Sequence, residues 1–295
     1  MGKEKRAYVF VLAAAALWGC IGLFFKMVSS VGLTSMQAVA ARVLVAAVFY
    51  TAFLLIKDKD ALKIKLKHIP YFIGTGIVSL AFFNFCYFNA IEESSMAVAA
   101  ILLYTAPIIV SLLSAVLFKE KITKIKIAAL ILTFIGCMLV TGIFESGGRV
   151  SAKAILFGLG SGLGYALYTI FGKYALRKYK AETVTAYTFI VSAIGVVPLS
   201  GLHTRLPELM TVQGSVGSLC LGIFCCILPY ILYTKGLESI EAGRASIIAT
   251  LEPVVAAIIG TVVFREEMTL VKALGIIVVV FAIAMINFKT KKAAR

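Results

Sequence analysis

Acidic residues are scarce in this chain, with 14 Asp and Glu among 295 residues, and charges of both signs make up only 15% of it. A soluble domain carries roughly 25%. With 61% hydrophobic residues and a mean hydropathy of +1.01, the chain has too little polar surface to cover itself in water. A soluble fold is excluded, and the bilayer is the expected solvent. Histidine is almost absent, and the two present, His68 and His203, lie near the ends of apolar segments. The six Cys (20, 86, 137, 220, 225, 226) all fall inside apolar runs, where a thiol behaves as a small hydrophobe. Neither a disulfide framework nor metal-ligand spacing results. No long polar stretch leaves room for a soluble enzyme domain, and no Walker motif, zinc signature or nucleophile elbow occurs. No catalytic residue, metal or cofactor is expected.

A formal charge of +15 would suit nucleic acid. Here, though, the cations stand in short clusters between apolar runs without aromatic interleaving, and no nucleic-acid partner is expected. Runs long enough to cross a bilayer, roughly 20 residues each, fall near 7–28, 35–56, 69–91, 95–118, 123–143, 153–173, 183–201, 214–236, 242–264 and 269–288. The first is too long for a signal-peptide core and is expected to stay as a helix. With the N-terminus inside, 22 Lys and Arg lie in inner segments and five in outer ones (Arg149, Lys153, Arg205, Arg265, Lys272), with Lys26 and Arg42 inside spans. That excess predicts a multi-pass protein of the cytoplasmic membrane with both termini in the cytoplasm.

Sliding the chain by 146 positions lays Tyr87–Val140 on Tyr233–Ile286 without a gap, with 11 identities in 54 positions. They include Tyr87/Tyr233, Glu92/Glu238, Pro107/Pro253, Phe118/Phe264, Glu120/Glu266, Thr123/Thr269 and Lys126/Lys272. A shift of 147 pairs Trp18 with Tyr165 and Lys26 with Lys173. Two repeats of five spans follow, 1–147 and 148–295. The odd number turns the second upside down, which is the architecture of many secondary transporters. The expected fold is therefore an all-α polytopic membrane protein of ten transmembrane helices in two inverted five-helix repeats.

Glu252 is the one acid at the centre of a span. A charge there costs at least ~2.5 kcal/mol, so function is the default hypothesis, and desolvation disfavours its charged form enough to make it a candidate proton carrier. A packing carboxyl is the alternative. Arg42, a third of the way into the second span, is its natural partner or a clamp for an anionic solute group, unless it snorkels to the interface. Pro107 and Pro253 interrupt the fourth and ninth spans and withhold a hydrogen bond from Leu103 and Ala249, as hinges or as static kinks. Lys26 and Lys173 close spans one and six at opposite faces, as gates or as cations at a helix C-terminus. Trp18, Asn84, Tyr104, Tyr165 and Tyr168 lie at mid-depth in a wider polar and aromatic set with Tyr87, Asn89, Tyr230 and Tyr233, suited to lining a solute cavity or to packing. The run Gly158-Leu-Gly160-Ser-Gly162-Leu-Gly164 lacks a preceding strand and reads as helix faces for close packing.

Trp18-Gly19, Pro107, Phe118–Glu120 with Thr123, Leu251-Glu252-Pro253-Val254 and Phe264–Glu266 resemble the EamA-type branch of the drug/metabolite transporter superfamily along essentially the whole chain. The resemblance implies an inner-membrane carrier of amino acids, other metabolites or drugs, usually outward, with a cavity between the repeats. Ala282 stands where the first repeat has Gly136. The expected function is a secondary transporter of small organic metabolites, probing no partner beyond its solute and membrane lipid. The oligomeric state is open and compatible with a monomer. A lipid-translocating protein or a membrane scaffold without solute transport is the alternative.

Overall fold

A computed structural model describes residues 2–143 and 150–288. The boundary between residues 147 and 148, Arg149, and the cations after Phe288 lie outside these residues. Among the described residues every regular element is helical. Nine helices are long and apolar enough to cross a membrane. In chain order they are α1 (Lys3–Ser29), α2 (Ser35–Lys57), α3 (Leu66–Glu92), α4 (Met96–Phe118), α6 (Ala152–Ala175), α7 (Ala181–Leu199), α8 (Val212–Leu237), α9 (Ala242–Phe264) and α10 (Leu270–Phe288). Between α4 and α6 lies α5 (Lys124–Val140), equally apolar but only 17 residues long. The helices start and stop within a few residues of the expected spans; α1 begins earliest, its basic first turn continuing the helix outward.

Local chemistry sets the ends. The first N–H groups of a helix have no partner within it, and a short hydroxyl side chain satisfies one. Thr34 does so for α2, reciprocated by Gln37, and Ser95, Thr123, Ser151 and Thr211 do so for α4, α5, α6 and α8. At their far ends α4 and α9 stop in the same way, with Lys119 (φ 57°) and Arg265 (φ 58°) left-handed. The next N–H then reaches back to Ser114 and Gly260, a helix-ending turn.

Five helices are not regular. α1 breaks at Cys20 between Gly19 and Ile21. α3 and α8 contain π-helical turns at Gly74–Ala81 and Ile223–Ile227, which overlap when shifted by 146 residues. α4 and α9 are interrupted outright: α4 at Tyr104 and Thr105, α9 at Thr250. The prolines were expected as kinks within continuous helices. Instead, each lies in the first turn of a new half-helix, where its missing N–H costs nothing.

Apolar side chains cover the outside: Ile131, Ile277 and Phe281 are more than half exposed, a surface suited to lipid and not to water. Inside, small residues let the helices approach. Gly164 abuts the backbone of Phe83, Gly162 abuts Thr105 and the Leu102 carbonyl, and Gly136 abuts Val279. The glycine run of α6 is thus a packing surface for α3 and for the interruption in α4.

Candidate functional site

The interruptions of α1 and α9 meet, and that of α4 packs on Gly162 of α6. A Cβ on Gly19 would lie 2.6 Å from Val255 Cβ and 2.9 Å from the Glu252 carbonyl, so only glycine lets α1 lie directly on the broken turn of α9. That contact places Trp18 among the tyrosines of the second half. Its ring lies edge-on to Tyr230 at 5.3 Å and Tyr165 at 6.2 Å, and tilted against Tyr233 at 5.3 Å. Tyr168 completes the cluster 4.9 Å from Tyr230. Hydroxyl pairs hold the rings: Tyr168 with Thr234 at 2.7 Å, and Tyr233 with Thr169 at 2.8 Å.

Glu252 stands in the first turn of the second half-helix of α9, where the first N–H groups lack partners within the helix. It accepts a hydrogen bond from the Tyr165 hydroxyl at 3.5 Å and keeps part of its surface open. Arg42 is buried and donates from Nη2 to Asn84 Oδ1 at 3.2 Å, while Asn84 donates to the Leu80 carbonyl at 2.7 Å. The Arg42 Nε has no partner. Arg42 and Glu252 are therefore not in ion-pair contact: each has taken a neutral polar neighbour.

Between Trp18, Tyr165, Tyr168, Tyr230 and Tyr233 lies a small cavity that also touches Ser79 and Phe83. Its water-accessible volume is about 10 Å³, room for one water, whereas sites for organic ligands measure some 300–1,000 Å³. The site is closed in this conformation. Ser79 fastens one wall by donating to the Gly164 carbonyl at 2.8 Å.

The structure gathers Trp18, Tyr165, Tyr168 and Glu252 at one locus, with Pro253 in the same turn as Glu252. Pro107 and Tyr104 mark the matching interruption in α4. The expected gates behave differently from each other. Lys173 Nζ donates to the carbonyls of Leu237 at 2.7 Å and Ile240 at 2.6 Å, whereas Lys26 lies over the Phe264 ring at 4.3 Å. Tyr230 and Tyr233 line the cavity as fully as Trp18 does, although depth along the span had not singled them out. The match of Tyr233 with Tyr87 in the repeat was the available signal. Among the described residues no group of three His, Cys, Asp or Glu could hold a metal.

Long apolar helices interrupted at depth around an intramembrane acid define a multi-pass membrane protein built to house a polar event. The profile of the EamA-like transporter family matches residues 5–142 and again 152–288, so the chain belongs to that family. Its relatives include an uncharacterized transporter of Archaeoglobus fulgidus, 30% identical over 68% of this chain and 71% of the relative. Another is the Bacillus subtilis uncharacterized transporter YwfM, 26% identical over 96% and 94%. The Salmonella typhimurium uncharacterized inner membrane transporter YicL is 24% identical over 100% and 99%. A solved crystal structure shares the fold at a TM-score of 0.79, with 18% identity over 95% of this chain and 97% of that one.

Proposed function

We propose that this transporter moves small organic solutes such as amino acids or drug-like molecules outward across the cytoplasmic membrane by alternating access. The observation that carries the reading is Glu252, an acid at a helix interruption in mid-membrane, bonded to Tyr165 beside an aromatic cavity too small for any solute. A site with that lining and no present room has a use only if the helices around it part.

The proposed frame is ten spans in two inverted repeats, 1–147 and 148–295, with both termini cytoplasmic. The double match of the family profile supports the repeat, as does the recurrence of π-turns, interruptions and left-handed helix ends about 146 residues apart. At 1.5 Å per residue α5 reaches about 25 Å, short of the ~30 Å hydrocarbon core but within what local thinning accommodates. In this frame Trp18, Tyr104, Tyr165 and Tyr168 grip the solute. Arg42, held by Asn84, meets an anionic group, a reading its buried and unpartnered Nε supports. Pro107 and Pro253 mark the hinges, and Lys26 and Lys173 serve one mouth each.

Glu252 is proposed to carry the coupling proton. In proteoliposomes, Glu252→Gln is expected to abolish accumulation driven by a pH gradient while solute exchange without a gradient survives. Identical responses of wild type and variant to the gradient would refute the coupling role.

A further inference from the structure

The 146-residue match also pairs side chains at opposite ends of the molecule, and the two sets are in different states. At the face that carries the N-terminus, three polar ties draw helix ends together. The Glu120 carboxylate, just past α4, accepts from the Ala242 N–H at 2.7 Å and the Gly243 N–H at 3.2 Å, the first turn of α9. Glu238, at the end of α8, accepts from the Ala181 N–H opening α7 at 3.3 Å. Lys173 of α6 holds the Leu237 and Ile240 carbonyls. A buried Lys126 backs the first tie, 3.6 Å from Glu120 and 3.1 Å from Glu241.

The sequence repeats four of these side chains at the other face, Glu266 for Glu120, Glu92 for Glu238 and Lys272 for Lys126 at a shift of 146 and Lys26 for Lys173 at 147, while Glu241 is matched by Ser95. A shift of 146 makes their targets the Met96 and Ala97 N–H groups opening α4, the Ser35 N–H opening α2, and the Ile91 and Ser94 carbonyls. None of those bonds is formed among the described residues. Glu266, Glu92 and Lys26 are exposed. The N-termini of α4 and α2 are capped by their own Ser95 and Thr34, and Lys272 reaches only the Glu267 carbonyl, at 3.3 Å. Backbone reasons do not separate the faces, since Lys119 and Arg265 end their helices with the same dihedrals.

We propose that Glu120 and Glu266 are a pair of alternating latches. Glu120 on the N-terminus of α9 holds the N-terminal mouth shut in the state seen here, and Glu266 on the N-terminus of α4 holds the opposite mouth shut in the other state. Glu238/Glu92 and Lys173/Lys26 tighten the same two closures. A carboxylate at a helix N-terminus gains from both the N–H donors and the helix dipole. One latch therefore opposes the other at nearly equal strength, which keeps the two states close enough in free energy to exchange. The inference rests on the alternating-access reading and specifies which contacts it trades.

The test measures both mouths by electron paramagnetic distance spectroscopy on the full-length protein in nanodiscs, with the six native cysteines replaced. One label pair, at Lys121 and Ser239, spans the N-terminal mouth. Its repeat mates, Glu267 and Glu93, span the other. Glu120→Gln is expected to raise the share of molecules with a long N-terminal distance and a short opposite one, by about tenfold in the ratio of the two states. Glu266→Gln is expected to lower that share, and the double variant to return it toward wild type. A residue needed only for folding would not give opposite shifts that cancel. If the two distances exchange in wild type but the variants move them in the same direction or not at all, the latches are wrong and alternating access stands. If every form gives one fixed distance at each mouth, alternating access itself fails and takes the latches with it.

Discussion

In α4 the helix stops at Tyr104 and resumes at Ala106, with Pro107 in the new first turn. In α9 it stops at Thr250 and resumes at Leu251, with Pro253 in the same place. Thr105 and Thr250 each turn their hydroxyl to the carbonyl three residues back, at 2.6 Å. The position that carries Glu252 in α9 is Ala106 in α4, 1% exposed and packed against Val110 and Ala166. Two equal backbones thus surround unequal chemistry. The interruption occurs in both halves, while the intramembrane acid occurs in one, the half that also brings Tyr165, Tyr168, Tyr230 and Tyr233.

The sharpest way to break this comparison is to move the acid. Glu252→Ala combined with Ala106→Glu keeps one carboxyl at a helix interruption but moves it from α9 to the matching position in α4. Gradient-driven accumulation in proteoliposomes is expected to fall to background and to stay there. Ala106→Glu alone is expected to lower stability by at least ~2.5 kcal/mol if the new carboxyl stays charged, read as a fall in melting temperature in detergent. Recovery of coupling in the swapped protein would mean that the halves are chemically interchangeable.

A smaller effect tests the packing of α1 on the interruption in α9. Gly19→Leu places carbons within 3 Å of Val255 and the Glu252 carbonyl. Overfilling of this kind costs about 1–3 kcal/mol, and the same substitution at Gly22, which has nothing within 4 Å, should leave the melting temperature unchanged. Tyr165→Phe removes one 3.5 Å hydrogen bond to Glu252 and keeps the ring. It is expected to lower gradient-driven accumulation by no more than about tenfold, the worth of one hydrogen bond, while the folded protein and its aromatic packing persist.

The smallest effect lies in the polar loop after α2. There Asp60 is held below the usual carboxylate range, first by its hydrogen bond to Lys63 and then by that lysine's charge. A carboxyl lowered on folding contributes stability above its unfolded range and loses it as pH falls. Both side chains are more than three-quarters exposed, however, and solvent screens such pairs. Asp60→Asn is expected to leave the melting temperature unchanged at pH 7 and at pH 4.

Much of this was legible from residue types and spacing. Apolar length located the helices, since a span must be both long and uncharged. The pairing of Pro107 with Pro253 located both interruptions, although as kinks, because a proline says where a hydrogen bond is missing but not whether the helix continues past it. Glu252 stood out because an acid among apolar residues has no cheap explanation. Its partner was not legible. Charge alone favoured Arg42, yet Arg42 takes Asn84 from the next helix and Glu252 takes Tyr165 from α6 of its own half. Which polar neighbour a buried charge meets is fixed by how helices rotate against one another, and one strand of sequence carries no record of that. Lys173 was read as a gate or as a cation at its own helix end, and its bonds to the carbonyls at the end of α8 were not legible for the same reason.

The most direct test of the account is whether the aromatic site binds a solute at all. Purified protein in nanodiscs would be screened by thermal shift against amino acids, sugars and aromatic cations, alongside Trp18→Ala. Binding to the folded state raises its melting temperature by mass action. The account predicts at least one solute class that stabilises wild type and loses that effect in Trp18→Ala. No stabilisation by any class, with the folded wild-type protein moving labelled lipid between leaflets, would contradict it.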